Sequence, residues 1–208
     1  MPFIDRFLLR LLGKGQVAPS QEIFDWIKTC ASDDSVESIV ELGTYTGLGT
    51  SRAILEGMKL NPKAISVGIE VDEKLAKIAR KNVASNKNYR VLHGSLISSE
   101  QLDSSDLTEV EKKWFANDLA MLTLAPSISL SQIPDRIDLL VSDGGEFGGF
   151  AELTTLLSRC SRFIILDDVS VRKNSQAFQF LSSLEGWRLV SHSTERNGTA
   201  LFEKEKTW

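Results

Sequence analysis

Residues 40–51, Val-Glu-Leu-Gly-Thr-Tyr-Thr-Gly-Leu-Gly-Thr-Ser, constrain this chain more than any other segment. They follow an apolar run, Ser38-Ile39-Val40, and open into a helical pattern that starts at Thr50. A strand must therefore turn sharply into a helix here. Glycines at 43, 47 and 49 permit that turn and let the backbone approach a ligand with no Cβ in the way. The spacing is G-x-x-x-G-x-G, unlike the G-x-G-x-x-G that cradles a dinucleotide pyrophosphate. Glu41, two residues before the first glycine, would repel a pyrophosphate. It suits a ligand that carries ammonium and sulfonium charges of its own.

The rest of the chain repeats the same alternation. Apolar runs at about 37–42, 64–70, 89–93, 137–142 and 162–166 read as strands, and the stretches at 49–59, 72–84 and 150–160 read as helices. Ser20 is placed to cap a further helix through 22–27. Near-continuous apolar strands between helices predict an α/β fold, a mostly parallel sheet covered on both faces. Residues 187–203 read as an antiparallel C-terminal hairpin with Asn197-Gly198 at its turn.

Composition narrows the class. At 208 residues the chain suits one domain, 1–208, with a sizeable core. A net charge of −4 argues against nucleic acid as a partner, because neutralising phosphates needs a basic surface. The two cysteines, Cys30 and Cys160, imply no disulfide framework and read as reduced, buried thiols in a cytoplasmic protein. Residues 1–18 carry Phe3, Phe7, Leu8 and Leu11 at helical spacing. That amphipathic helix is too short and too charged to span a bilayer. It could pack on the domain's flank, cover substrate, contact a second copy in a homodimer, or touch a membrane surface weakly.

Glu41-Leu-Gly-Thr-Tyr-Thr-Gly47 resembles the first motif of class I S-adenosylmethionine-dependent methyltransferases, in the E-L-G-x-Y-x-G form of the catechol O-methyltransferase group. The resemblance implies a Rossmann-like sheet with an antiparallel C-terminal hairpin and S-adenosylmethionine as cofactor. Glu41, Gly43, Tyr45 and Gly47 would bind it, with Glu70 accepting from the ribose hydroxyls and Ser95 and Leu96 bordering the adenine. Asp143 would touch cofactor and metal alike.

In such a sheet the ligand lies beyond the carboxyl ends of the strands, so the residues at those ends matter most. The fourth strand ends in Ser142-Asp-Gly-Gly-Glu-Phe-Gly-Gly149 and the fifth in Asp167-Asp168. Carboxylates at two neighbouring strand ends can converge on a hard cation. Asp143, Asp167 and Asp168 match the layout by which catechol-type relatives, and some sugar methyltransferases, hold magnesium. One of them could instead cap a helix or bind a backbone amide. The relatives place a lysine or histidine base three residues after the first metal aspartate, where this chain has Glu146. That carboxylate could take a proton from a hydroxyl, ligate the metal, or contact substrate only.

Other residues attract weaker readings. Asp72 and Glu73 read as favouring a helix start. Arg172, Lys173 and Asn174 read as a solvated helix start that could hold an anionic or polyhydroxylated substrate, His93 as loop packing, and His192 as a remote candidate base. Residues 97–134 exceed an ordinary connection and read as an insert or lid, helical over 106–119, with Trp114 and Phe115 lining a pocket or anchoring the insert. The sequence thus predicts a metal-assisted O-methyltransferase acting on a small molecule or saccharide. A metal-independent methyltransferase and a non-catalytic cofactor-binding partner protein stand as alternatives.

Overall fold

The computed structural model describes residues 17–205. The expected N-terminal amphipathic helix lies outside these residues. Seven strands form one sheet in the order β3-β2-β1-β4-β5-β7-β6. They are β1 Ser38–Leu42, β2 Ile65–Glu70, β3 Tyr89–His93, β4 Ile137–Ser142, β5 Cys160–Asp167, β6 Trp187–Ser193 and β7 Thr199–Lys204. The first five run parallel, and β7 joins β5 antiparallel, with β6 closing the hairpin at the edge.

Six α-helices of the described residues surround the sheet: α1 Glu22–Ser32, α2 Thr50–Met58, α3 Glu73–Val83, α4 Glu109–Leu124, α5 Gly149–Leu156 and α6 Arg172–Ser183. The period of two along the strands divides the core. Ile39, Leu139, Val141 and Ile165 face α1, α2 and α3. Val40, Leu42, Leu140 and Ile164 face Leu153 and Leu156 of α5 and Ala177 and Leu181 of α6. Both faces are covered, so β1 and β4 are buried at every position.

Local chemistry sets the element ends. Asp72 caps α3, its carboxylate accepting from the Lys74 and Leu75 amides at 2.7 and 3.0 Å. Three expectations shift. The N-cap of α1 is Gln21, not Ser20, and Gln21 accepts from the Ala18 amide at 2.7 Å, which holds the chain outside the helix. The insert helix starts at Glu109, three residues later than the sequence pattern, because Thr108 and Glu111 form a capping box there. The hairpin connection spans 194–198, with Arg196 and Gly198 at positive φ, so Asn197-Gly198 is not a two-residue turn. Its Asn197 and Gly198 carbonyls accept from the Ser170 and Val169 amides at 2.7 and 2.9 Å, docking the loop beside the end of β5.

No helix of the described residues is long and apolar enough to cross a membrane. Cys30 and Cys160 are both free and buried, and burial pushes each thiol up to about 12.

Candidate functional site

Strand order reverses between β1 and β4, and beyond their carboxyl ends lies a cleft of about 780 Å³. Its walls carry six carboxylates, Glu70, Asp72, Asp118, Asp143, Glu146 and Glu152. No lysine, arginine or histidine of the described residues lines it. A wall of one sign focuses a negative potential into the cleft and favours cationic ligands over anionic ones.

The glycine turn forms one end. Gly43 has φ +80, and a Cβ there would sit 2.2 Å from the Asp143 carbonyl oxygen, so the turn must be bare to pass the end of β4. Tyr45 also lies at positive φ, 51, an unfavourable conformation for a bulky residue. It is held there in part by its amide, which donates to Glu70 Oε2 at 2.7 Å. Glu70 Oε1 accepts from the Asp72 amide at 2.9 Å. Each oxygen keeps a lone pair for the cleft. Burial pushes the Glu70 carboxyl up to about 7 against those two amide donors.

Two residues expected to bind the cofactor point elsewhere. Glu41 is fully buried beneath the turn and does not line the cleft. Its carboxylate accepts from Ser51 Oγ at 2.8 and 3.0 Å and from the hydroxyls of Thr50 and Tyr89. Gly68, opposite it on β2, leaves the space this cluster needs, since a Cβ there would lie 3.1 Å from the Tyr89 hydroxyl. Glu41 therefore pins the turn from below. Gly47, at φ +76, faces α3, where a Cβ would press on the Ala79 Cα at 3.2 Å. It serves the packing of turn on helix.

Beyond β3, Ser95 lines the cleft, its hydroxyl bonded to the Ile97 carbonyl at 2.9 Å. Leu96 turns into the core, and Ile97 takes the place on the wall. The insert covers this side. None of α4 is fully buried, yet Trp114, Asp118 and Met121 line the cleft. Phe115 meets Phe147 edge-on at 5.3 Å, and Asp118 accepts from the Glu146 amide at 3.0 Å. Trp114 lines the cleft, and both it and Phe115 pack against the Ile97, Leu102 and Phe147 cluster that anchors the insert. Sequence reasoning missed Glu152, on the first turn of α5. Its Oε2 is buried with no hydrogen-bond partner, and burial, with Glu70 and Asp118 adding, pushes the carboxyl up to about 7. A single acid on a scaffold helix gives no sequence signal.

The far end holds the aspartates. Oxygens of Asp143, Asp167 and Asp168 lie within 4.8 Å of one another, and Glu146 is not of that group. Two cations meet them. Lys173 Nζ lies 2.5 Å from Asp143 Oδ1 and 2.8 Å from Asp168 Oδ2. Arg196 Nη2 lies 3.1 Å from Asp167 Oδ2. Burial lowers the Lys173 pKa, but Asp143, Asp168 and Asp167 outweigh it and hold it well above the usual lysine range. Burial also raises Asp168, yet Lys173, Asn197 and Arg196 hold it below the usual carboxylate range. Asp167, fully buried, is pushed up to about 7 by burial and by its two acidic neighbours. Like charges 4 Å apart repel by about 4 kcal/mol per unit pair near a protein surface. A divalent ion would have to enter against both resident cations, so this arrangement does not fit the expected magnesium.

The solvated reading of residues 172–174 gives way too. Arg172 pairs with Asp103 at 2.8 Å and Glu111 at 3.2 Å, tying the insert to α6. Asn174, fully buried, donates to the carbonyls of Ser142 and Asp167 and joins β4 to β5. His192 stacks on Phe178 at 5.3 Å, outside the cleft lining.

No family model and no curated protein sequence matches this chain. Solved structures do. An O-methyltransferase from Bacillus cereus in complex with SAH aligns at TM-score 0.65 and 14% identity, over 96% of this chain and 88% of that one. An SAH-bound methyltransferase from Podospora anserina aligns at 0.59 and 14%, over 99% and 98%. The O-methyltransferase TomG from Streptomyces achromogenes, involved in tomaymycin synthesis and bound to SAM, aligns at 0.59 and 14%, over 95% and 86%. The chain has the Rossmann-like fold of these methyltransferases.

Proposed function

We propose that this chain is an S-adenosylmethionine-dependent methyltransferase that acts on a hydroxyl oxygen of a small molecule. The observation that carries the reading is the acidic cleft at the strand switch, with Glu70 presented as an acceptor and, among the described residues, no basic group for a phosphate. The bare approach at Gly43 fits a ligand lying close to backbone. The neighbours' bound SAH and SAM support the same ligand.

S-adenosylmethionine supplies a sulfonium methyl, which leaves the sulfur for an attacking oxygen while the sulfur keeps the electron pair. Gly43, Tyr45, Glu70 and Ser95 hold the cofactor, and α4 closes over it to exclude water. Asp143, shared between cleft and lysine, orients the acceptor. Glu146, on the same wall, takes the hydroxyl proton. Magnesium would require Lys173 to leave, and no step here depends on it. The lining favours a neutral or cationic acceptor, neutral saccharides included, over nucleotide sugars or other phosphorylated compounds.

Calorimetry with S-adenosylhomocysteine tests the cofactor assignment, with micromolar binding expected. No binding at ~1 mM would overturn the reading. Methyl transfer to a panel of neutral diols, amines and nucleotide sugars then tests the acceptor class, and preference for the phosphorylated members would overturn that part.

A further inference from the structure

We propose that Lys173 is the resident cation of this site: its ammonium takes the place between Asp143 and Asp168 that a divalent ion would take, and the protein binds no metal there. Lys173 bridges one oxygen of each aspartate, at 2.5 and 2.8 Å. Asn197 Nδ2 donates to the other Asp168 oxygen at 3.0 Å, and Arg196 meets Asp167. Asp143 Oδ1 and both Asp168 oxygens are thus engaged by an ammonium or an amide; the Asp167 oxygens, buried without a hydrogen-bond partner, face Arg196 alone.

The lysine is also poorly placed to leave. Its backbone is held on both sides, by the ion pairs of Arg172 to the insert and by the bonds of Asn174 to β4 and β5. The start of α5 presses on it as well, since a Cβ at Gly149 would sit 2.1 Å from the Lys173 carbonyl oxygen. With the residue 9% exposed, swinging the ammonium out would leave buried Asp168 and half-buried Asp143 without their cation. Lys173 does not line the cleft, whereas Asp143 does. Lys173 is thus a positioning residue, which holds Asp143 aimed with one oxygen bound and the other toward the cleft. In metal-assisted methyl transfer the cation touches the acceptor directly. Here the positive charge stands behind the carboxylate.

The inference deepens the methyl-transfer reading, but its test stands apart from it. Mn²⁺ is titrated into the wild-type protein and Lys173→Met, followed by electron paramagnetic resonance of the free ion and by thermal unfolding. S-adenosylhomocysteine binding is measured in parallel and reports on the methyl-transfer reading alone. The wild type should bind no Mn²⁺ up to ~1 mM and keep its Tm. K173M should bind one ion at least about tenfold more tightly than any wild-type site and gain Tm with it, and K173M/D143N should lose both. A lysine with a merely structural role would not uncover an ion site when removed. A wild-type Mn²⁺ site lost in Asp143→Asn, or a folded K173M that gains none, would overturn the proposal. Should K173M fail to fold without metal, refolding with Mn²⁺ decides in the same way, and Lys173→Gln provides a second variant.

Discussion

At the glycine-turn end of the cleft, Glu41 and Glu70 sit in a shell of hydroxyl and amide donors. At the aspartate end, Asp143, Asp167 and Asp168 face an ammonium and a guanidinium. Both ends hold a non-glycine residue at positive φ, Tyr45 at 51 and Asp168 at 58, so both are shaped at a backbone cost of about 1–3 kcal/mol per residue. They differ in what they leave for a ligand. Neutral donors orient Glu70 without cancelling its charge, and a cation from outside can still profit from it. Resident cations already pair with Asp143 and Asp168, while Asp167 meets Arg196 but keeps both oxygens without a hydrogen-bond partner. An acidic cluster is therefore no forecast of a metal until its neighbours are known.

The largest expected effect comes from breaking the aspartate end. Asp143→Asn should lower turnover by about 10²–10³-fold while S-adenosylhomocysteine affinity, measured by calorimetry, stays within about fivefold. A parallel loss of affinity would assign Asp143 to the cofactor end instead. Gly43→Ala should damage both ends at once, because its Cβ would strike the Asp143 carbonyl at 2.2 Å and alanine resists φ +80. Denaturant unfolding should report a loss of about 3 kcal/mol or more, and a neutral result would mean that turn and β4 separate freely.

Glu70→Gln sharpens the contrast through pH. Folded Glu70 holds its proton more tightly than the unfolded chain does, so it costs stability as pH rises from 4.5 to about 7 and becomes a carboxylate only above that. Cofactor binding to the wild type should strengthen over this rise. E70Q should bind about tenfold more weakly at pH 8 and show a shallower profile, with Glu152 still titrating on the same wall, as calorimetry at several pH values would reveal. The smallest effect is expected at Tyr89→Phe, which removes one donor to Glu41. Stability should fall by about 1–2 kcal/mol with cofactor affinity unchanged. A change in affinity would return Glu41 to the cleft wall.

Much of the fold was legible because it depends on local pattern. A bare turn after an apolar run, strands apolar at every position and Asp72 before α3 each announce their place through near neighbours in the chain. The place of Glu70 and Asp143 on the cleft wall was legible for the same reason, since both stand at strand ends. Leu96, Gly47 and Glu41 lie off the cleft lining, where the choice was between the two sides of one backbone. That choice depends on what packs against each side, namely α3 for Gly47 and Tyr89 with α2 for Glu41.

By itself the sequence determined the α/β class, the turn at Gly43 and the acids that stand at the strand ends, because steric and periodic constraints act over a few residues. Only the tertiary structure decided which charges meet. Lys173 reaches an aspartate thirty residues away because α6 crosses the ends of β4 and β5 with its first turn inward. Arg196 and Asn197 arrive from a hairpin loop docked on the same spot. Electrostatic partners are set by distance in space and by burial, and neither quantity is written in the spacing of residues along a chain.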